Sequence, residues 1–486
     1  MKKLLSLTLC FLTILTLTLT FTGCDEKPTE AGKYVLRICN CEDYISENEE
    51  TGETLYDEFE KYYEEAYGVD ITIEYTTYGT NEILYNNLKI NPGSYDLVCP
   101  SDYMIQKMIE ENMLEKFDNV KADVPNYDTY GSPYVKALFE ENGWAEYSVP
   151  YMWGTMGFIY NPEFVSVEEA STWECAINPK FTGKTTIKDS VRDTFFLGVA
   201  LAKLSDLKAE NLKYVSDASY TDAYHEYLKN AFNDTTPQTV ALVEEMLVKA
   251  KENAFTIEVD SGKDDMVTGK VWINFARSGD AVYALDEAEN DDIELCYAVP
   301  NEGSNVWFDG WVMPKGANKT LASAFLNYIS SPEKAIENME YIGYTSAIAG
   351  QEVLNWAKEY DPAEDGEDGY EVNLSYFFSG VDGVTDNDAI FNVSTLGRQF
   401  STQYPSREVV DRCAVMKHFS KEDDALINAM WNRVKAGNIK LYVIIIIVSI
   451  AVLAVLFIAY FIYIKDLFRR TGIKGYKVIK KEELNR

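Results

Sequence analysis

Two hydrophobic rhythms alternate along the chain beyond its first 32 residues. Apolar runs of strand length occur in KYVLRICN (33–40), VDITIEYTTY (69–78) and YDLVCP (95–100). Apolar side chains recur at helical spacing in TLYDEFEKYYEEAYG (54–68), NEILYNNLKI (81–90) and SDYMIQKMIEENMLEKF (101–117). Because strands alternate with helices, the pattern predicts an α/β fold built on a parallel sheet.

The rest of the chain continues this pattern less regularly, and its length of 486 residues predicts two lobes with appendages. VPYMWGTMGFIYN (149–161) predicts a pair of strands that crosses from one lobe to the other. KTLASAFLNYISSPEKAIENMEYIGYTSA (319–347) predicts a helical hairpin followed by a Gly-Tyr turn. Region 351–406 is acidic and poorly periodic, and its stretch DPAEDGEDGYEV (361–372) is no EF-hand loop, because Val372 stands where a ligand Glu is needed.

Both ends of the chain carry apolar segments of a different kind. MKKLLSLTLCFLTILTLTLTFTGC (1–24) has two lysines, an apolar run and a small-residue site, which predicts a secretion signal. Its ending FTGC resembles a lipoprotein signal box, so we expect residues 1–23 to be removed and Cys24 to be acylated. Ordinary cleavage nearby, with Cys24 left as a free thiol, is the alternative. Residues 24–33 are expected to form a flexible tether.

The C-terminal apolar run, residues 441–464, contains no charged residue over 24 positions and predicts one transmembrane helix. Lys and Arg dominate residues 465–486 that follow, which predicts a cytoplasmic tail. Residues 24–440 would then face the outside, anchored to the cytoplasmic membrane.

Charge restricts the classes of partner. The chain has 44 Lys and Arg against 78 Asp and Glu, a formal net charge of −34. Eight of the basic residues lie in the tail, so residues 24–440 are more acidic than the chain as a whole. Such a charge attracts small cations and repels nucleic acid, although much of it solvates the surface. Six cysteines beyond Cys24 leave buried thiols and disulfides both open.

No catalytic or cofactor motif accompanies this composition. The chain has two histidines, His225 and His418, in separate segments without surrounding motifs. GxSxG, GxGxxG and Walker-type sequences do not occur, and no pair of Cys or His has zinc-ligand spacing. We therefore expect a binding protein rather than an enzyme, with no cofactor and no metal.

The stretch NVWFDGWVMP (305–314) places Asp309 among Trp307, Phe308 and Trp311. A half-buried strand and turn is one interpretation. The other is a seat for an organic cation, which a carboxylate neutralises and a ring face attracts.

Three predicted strand-to-helix junctions, at residues 100–103, 189–193 and 277–280, are rich in Ser and Asp. Such junctions lie where open α/β sheets bind ligands, whereas N-capping is the simpler explanation of their composition.

Six segments in a constant order carry a resemblance to a known family. They are TYGTNEILYNNLK (77–89), YDLVCPSDYMIQKM (95–108), SVPYMWGTMGFIYN (148–161), IKDSVRDTF (187–195), VWFDGWVMP (306–314) and YIGYTSA (341–347). From about Tyr34 to Gly437 the chain resembles the substrate-binding subunit of spermidine/putrescine ABC importers, a type II periplasmic binding protein.

The resemblance implies two α/β lobes that close on a linear polyamine. Lobe 1 would comprise 34–151 and 308–355, and lobe 2 would comprise 152–307 and 356–440. The family's ligand-binding positions that match here are Tyr44, Ser101, Tyr103, Asp193, Trp307, Asp309 and Tyr344. Asp309 would hold an amine nitrogen while Trp307 walls the chain of methylenes.

This sequence departs from the family pattern at three places. Cys41 replaces an aromatic residue, Arg277 replaces a Trp, and Ala414 and Val415 fill a position expected to be acidic or amide. Arg277 either turns to Asp193 or an adjacent carboxylate and narrows the cation site, or faces the cleft. In the second case the ligand carries a carboxylate or fewer charges.

The expected function is a membrane-tethered receptor on the outer face that captures a polyamine or related organic amine and delivers it to an ABC permease. The alternative is a sensory or scaffolding surface protein whose binding cleft is degenerate or altered. In both cases the partners include the membrane and exclude nucleic acid.

Overall fold

The computed structural model describes residues 33–48, 50–259, 261–359, 362–363, 369–437 and 441–470. The predicted signal, Cys24 and nearly all of the predicted tether lie outside these residues, as does the tail beyond Arg470. Two compact units divide the chain between Ile427 and Asn428. The sheet and the candidate site belong to the first unit.

The strands are β1 Lys33–Cys41, β2 Asp70–Tyr78, β3 Leu97–Val98, β4 Ser148–Tyr160, β5 Thr185–Lys188, β6 Ala254–Glu258, β7 Ile273–Arg277, β8 Cys296–Ala298, β9 Ser304–Val312, β10 Thr345–Ser346, β11 Tyr370–Asn373, β12 Ile390–Val393 and β13 Cys413–Ala414.

The helices of the first half are α1 Leu55–Tyr67, α2 Asn81–Ile90, α3 Asp102–Glu110, α4 Val120–Asp123, α5 Pro125–Tyr130, α6 Pro133–Glu141, α7 Val167–Ala170, α8 Val191–Ala202, α9 Leu204–Ser216, α10 Thr221–Phe232 and α11 Pro237–Asn253. Those that follow are α12 Gly262–Val267, α13 Ser278–Asn290, α14 Lys319–Ile329, α15 Pro332–Ile342, α16 Gln351–Glu359, α17 Ser375–Phe378, α18 Gln399–Gln403, α19 Arg407–Asp411, α20 Lys421–Ala436 and α21 Leu441–Arg470. Short 3-10 helices cover Trp173–Ile177, Pro179–Phe181 and Ala218–Tyr220.

One large sheet has the strand order β2-β1-β3-β9-β4-β7-β5-β6, with β8 and β10 on β4 and β13 on β9. β1 pairs with β2 and β3 in parallel, and β5 pairs with β6 and β7 in parallel. The long strands β4 and β9 run antiparallel to each other between these two parallel groups. The predicted α/β fold with two lobes is confirmed, each lobe having its own parallel strands.

The predicted strand pair at 149–161 is wrong, because β4 is one continuous strand whose 13 residues are all buried. β4 pairs with β9 as far as Thr155 and with β7 from Met156 onward. A bulge near Pro150 interrupts the ladder without ending the strand, and it accommodates a residue that cannot donate a ladder hydrogen bond. The single strand β4 therefore crosses from one lobe to the other.

The local sequence explains where the first helices begin and end. Thr54 and Asp57 form a capping box at the start of α1, and Gly68 ends that helix in the left-handed region with φ of 67°. Thr80 accepts a hydrogen bond from the N–H of Ile83 at the start of α2. These caps fix the turns that return the chain to the sheet after β1 and β2.

The second unit contains the end of α20 and the helix α21. The side chains of α21 are described at Ser449 and at residues 452–465 only. Over the part of the chain that the structure describes, none of the helices has both the length and the apolar character needed to cross a membrane. The transmembrane helix predicted over 441–464 is therefore not supported by the structure.

Candidate functional site

Asp309 lies on β9, where that strand meets the loops that follow β1 and β3. The hydroxyl of Tyr44 donates a hydrogen bond to Asp309 Oδ2 at 2.6 Å, and Ser101 forms a backbone bridge with Asp309. Burial raises the pKa of Asp309, while hydrogen bonds from Ser101 and Tyr44 act in the opposite direction. No Lys or Arg among the described residues forms an ion pair with this carboxylate.

Two side chains fix the position of Tyr44 by binding its backbone carbonyl. The Tyr44 carbonyl accepts hydrogen bonds from Asn40 Nδ2 at 2.8 Å and from Tyr151 Oη at 3.0 Å. Its ring packs edge-on against Tyr151 and Tyr344, with centroids 5.6 Å away in each case. Burial raises the pKa of Tyr44 well above its ordinary value, so its phenol stays protonated and remains a donor.

Trp307 and Tyr344 form the aromatic wall beside Asp309. Their ring centroids are 5.2 Å apart at an interplanar angle of 57°. The other two rings that surround Asp309 in the sequence point elsewhere, because Phe308 packs on Phe139 and Trp311 packs on Tyr151 and Phe325. Of the three aromatic residues that surround Asp309 in the sequence, only Trp307 packs against Tyr344 among the ring contacts of the described residues.

We call Tyr44, Ser101, Trp307, Asp309 and Tyr344 the Asp309 cluster. Tyr344 ties this cluster to α13, since its hydroxyl donates to Asp280 Oδ1 at 2.9 Å. Its ring lies directly on the backbone of Gly279, where a Cβ would overlap it. A glycine at the start of α13 is thus required for the ring to reach Trp307.

Arg277 pairs with Asp193 across the second lobe. Arg277 Nη2 lies 2.8 Å from Asp193 Oδ2, while 41% of the arginine side chain remains exposed. The charge of Asp193 holds the pKa of Arg277 well above its usual range. Of the alternatives that the sequence leaves open for Arg277, the structure contains the pairing with Asp193.

A buried cation, Lys188, lies near this pair. Lys188 is 5% exposed and its Nζ lies 3.3 Å from Asp280 Oδ2 and 3.6 Å from Glu258 Oε1. Burial acts to raise the pKa of Asp280, but the charges of Lys188 and Arg277 lower it to about 2. We call Lys188, Asp193, Glu258, Arg277 and Asp280 the Arg277 cluster.

Sequence reasoning missed Lys188 and Glu258. The available signal was a lysine at the end of the short β-branched stretch TTI, which forms β5, and all four residues of this strand are buried. A buried lysine needs a carboxylate partner, so this position alone indicates that an acidic group faces it.

Tyr103 does not join the Asp309 cluster among the contacts of the described residues. Its hydroxyl donates to Glu82 Oε1 at 3.0 Å, and its ring is covered by the guanidinium of Arg192 with Cζ 4.0 Å from the centroid. Arg192 Nη2 donates to the carbonyl of Lys417 at 2.7 Å. Tyr103 therefore contacts the second lobe through Arg192.

Asp102, next to Tyr103, is a buried carboxyl at 2% exposure. It accepts hydrogen bonds from the N–H of Tyr103 at 2.5 Å and the N–H of Phe308 at 3.3 Å. Burial raises the pKa of Asp102 to about 7, with the charge of Arg192 lowering it and that of Asp309 raising it. Asp102 thus fixes the backbone of β9 immediately before Asp309.

The N-capping explanation of the Ser-rich junctions holds at one of them. Ser190 caps α8 by accepting from the N–H of Asp193 at 3.2 Å. Ser101 makes no capping bond to α3, and its Oγ accepts from Asn81 Nδ2 at 3.0 Å. Ser278 Oγ instead accepts from the N–H of Thr155 at 3.2 Å, which binds α13 to the crossing strand.

The remaining departures from the family pattern contribute no charge to the site. Ala414 accepts a hydrogen bond at its carbonyl from Asn305 Nδ2 at 2.9 Å, and the Val415 carbonyl accepts from Asn233 Nδ2 at 3.1 Å. Burial raises the pKa of Cys41 to about 11, with the charge of Asp309 adding to the shift. Cys41 therefore remains a neutral thiol beside the carboxylate.

The cysteines of the described residues form no disulfides. Cys39, Cys41, Cys99, Cys175, Cys296 and Cys413 are free thiols. Among the described residues, Asp, Glu, His and Cys form no group that could hold a metal ion.

The Asp309 cluster suits a compact organic cation, because a carboxylate that forms no ion pair among the described residues lies beside the ring faces of Trp307 and Tyr344.

Comparison with known proteins places this site in context. Residues 54–360 match the family profile described as bacterial extracellular solute-binding protein. The spermidine/putrescine-binding periplasmic protein of Escherichia coli K12 is 27% identical over 288 residues, which is 59% of this chain and 73% of the relative. A putrescine-binding periplasmic protein of Pseudomonas aeruginosa is 25% identical over 328 residues, 66% of this chain and 80% of that relative.

Among solved structures, a spermidine/putrescine ABC transporter substrate-binding protein of Streptococcus pneumoniae is similar with a TM-score of 0.57 and 26% identity. The similarity covers 83% of this chain and 99% of that one.

Proposed function

The chain belongs to the bacterial extracellular solute-binding protein family, and on that premise we propose that it captures a polyamine or related organic amine outside the cytoplasm for an ABC importer. Members of this family bind solutes and are not enzymes. The relatives are spermidine/putrescine- and putrescine-binding periplasmic proteins, which favours import over the sensory or scaffolding alternative.

The observation that carries the choice of an amine is the Asp309 cluster. Asp309 accepts a hydrogen bond from Tyr44 and has no ion-pair partner among the described residues. Its acceptor capacity, with two oxygens, is not exhausted by that bond. An ammonium group would satisfy the remaining lone pairs and neutralise a charge that is otherwise costly to bury.

The aromatic wall supports the same choice. The rings of Trp307 and Tyr344 attract a cation through their faces and offer a flat apolar surface to methylene groups. A cation–π contact contributes about 0.5 kcal/mol at exposed sites and about 2 kcal/mol when desolvated. An aliphatic amine presents both features, a positive end and an apolar chain.

Closure of the two lobes would bury the ligand between them and exclude water from it. We propose lobe 1 as 34–151 with 308–355 and lobe 2 as 152–307 with 356–440. The proposal is supported by β4 and β9, the two long antiparallel strands that join the parallel group β1–β3 to the parallel group β5–β7. Tyr344 and Arg192 supply side-chain contacts across this boundary, to Asp280 and Tyr103 respectively.

Anchoring to the outer face of the cytoplasmic membrane is a separate part of the proposal. It is supported by the lipoprotein-type signal that ends at Cys24 and by the uncharged run 441–464. Two anchors would keep the receptor at high effective concentration near the permease. Membrane fractionation of the chain, of Cys24→Ser and of a chain ending at 440 tests each anchor, and release of the intact chain into the soluble fraction would contradict both.

Calorimetric titration of the full chain tests the proposed cargo. Putrescine and spermidine should release saturable heat, and glutamate should not, because it brings a carboxylate toward Asp309. Saturable binding of glutamate with none of either amine would overturn the proposal.

A further inference from the structure

The carboxylates around the candidate site differ in how they are neutralised. Asp193 is paired with Arg277 at 2.8 Å, and Asp280 is paired with Lys188 at 3.3 Å. Asp309 receives hydrogen bonds from neutral groups and has no basic partner among the described residues. A positively charged ligand therefore meets one carboxylate that still lacks a counter-charge.

Arg277 occupies the position that a second ammonium group would need at Asp193. A guanidinium that is hydrogen-bonded to a carboxylate satisfies one of its oxygens and cancels its charge. The arginine stays charged at all ordinary pH values and cannot be neutralised to make room. A second ammonium group would have to displace it or lie beside it.

Arg277 also acts on the open carboxylate itself. Arg277 lies two residues before Gly279, whose backbone contacts the Tyr344 ring of the Asp309 cluster, and its charge lowers the pKa of Asp309. With 41% of its side chain exposed, Arg277 is accessible from solvent rather than enclosed in the core. A cationic group beyond the first ammonium would therefore meet a like charge.

We infer that Arg277 is a specificity-determining residue, which fills the cation seat at Asp193 so that an amine binds through a single ammonium group at Asp309. This inference rests on the proposed function. The favoured ligand is an amine with one positive end and an apolar or neutral tail, and the second charge of a diamine contributes nothing or opposes binding.

n-Butylamine and putrescine test the inference because they share a four-carbon chain and differ by one ammonium group. Calorimetry on the full chain should give putrescine no advantage over n-butylamine. In Arg277→Gln the ratio of the two Kd values should shift toward putrescine by at least about tenfold, since Asp193 is freed and a like charge is removed. Arg277→Lys retains the charge and should keep the original ratio.

The double variant Arg277→Gln/Asp193→Asn separates the two causes. If Asp193 accepts the second ammonium in Arg277→Gln, most of the shift should disappear in the double variant. Arg407→Gln is the matched control, because it breaks an arginine–aspartate pair of 2.7 Å within α19 instead.

Four results decide between these possibilities. A shift in Arg277→Gln that is absent from Arg277→Lys and Arg407→Gln supports the inference. An unchanged ratio in Arg277→Gln with amine binding intact overturns the inference and leaves the proposed function standing, as does an intact chain that already prefers putrescine about tenfold or more. Absence of heat with either amine in the intact chain overturns both.

Discussion

The phenol of Tyr44 donates a hydrogen bond to Asp309 Oδ2 at 2.6 Å although the two residues lie 265 positions apart in the sequence. The bond joins the loop after β1 to the middle of β9 and orients the carboxylate before any ligand arrives. Because the donor is neutral, the bond leaves the negative charge of Asp309 in place. A fixed carboxylate that forms no ion pair among the described residues is suited to recognition of an ammonium group.

Asp309→Asn should abolish most of the amine affinity of the chain. The amide retains the shape of the carboxylate but loses the charge, and removal of one partner from a hydrogen-bonded charge pair costs about 2–5 kcal/mol, or about 30-fold or more in Kd. Calorimetric titration with putrescine measures the loss. Asp206→Asn, an exposed position on α9, is the matched control, and equal affinities of the two variants would refute the role of Asp309.

Gly279→Ala should weaken amine binding by roughly tenfold, since overpacking a close contact costs about 1–3 kcal/mol. The added Cβ would overlap the ring of Tyr344 and displace it from Trp307 and from Asp280. Gly79→Ala provides the control, because a Cβ there meets no atom within 4 Å. Unaltered affinity in Gly279→Ala would show that the Tyr344 ring takes no part in binding.

Arg192→Ala should weaken amine binding several-fold by removing a contact between the lobes. The guanidinium lies 4.0 Å from the Tyr103 ring centroid, and a cation–π contact of this kind contributes about 0.5–2 kcal/mol. Tyr103→Phe keeps the ring and loses only the hydroxyl that bonds to Glu82, so it should bind nearly as the parent does. A larger loss of affinity in Tyr103→Phe than in Arg192→Ala would contradict a stabilising contact between Arg192 and the face of the Tyr103 ring.

Asp102 should make stability depend on pH. Burial raises its pKa from 3.8 to about 7, so between these values the folded chain binds a proton that the unfolded chain has lost. This contribution to the free energy of unfolding is present at acid pH and is lost as the pH rises through the window. Asp102→Asn should remove it, so the variant gains stability relative to the parent between about pH 4 and pH 8, on the order of 4 kcal/mol at most.

Urea unfolding at several pH values measures the free energies of unfolding that this prediction compares. Asp206→Asn, which is exposed, should follow the parent at every pH. A constant difference between Asp102→Asn and the parent across the pH range would exclude the titration of Asp102 as the cause.

The local pattern was sufficient for most of the elements before the crossing strand. α1 and β2 begin and end within a residue or two of their predicted limits, because caps such as Thr54 and Gly68 are legible in the sequence. β4 was misjudged since both faces of this strand are buried, and a continuous apolar run with Pro150 and Gly154 has no alternation that shows it to be one strand.

The site was less accessible to sequence reasoning, because its contacts join distant segments. The strand alternation of NVWFDGWVMP could not show that Trp307 lies at the site while Trp311 packs into the core. The sequence likewise leaves open whether Arg277 pairs with Asp193 or faces the ligand cleft, since Arg277 and Asp193 are 84 positions apart. Lys188 between Asp280 and Glu258 was unforeseen for the same reason.

A crystal structure of the full chain with bound putrescine would give the distance from an amine nitrogen to the carboxylate of Asp309, on which the assignment of this residue as the amine seat depends. We expect one nitrogen about 2.7–2.9 Å from an Asp309 oxygen, as in a charge-assisted hydrogen bond, with methylene groups against Trp307 and Tyr344. A ligand whose nitrogens both lie beyond hydrogen-bonding distance of Asp309 would contradict this assignment.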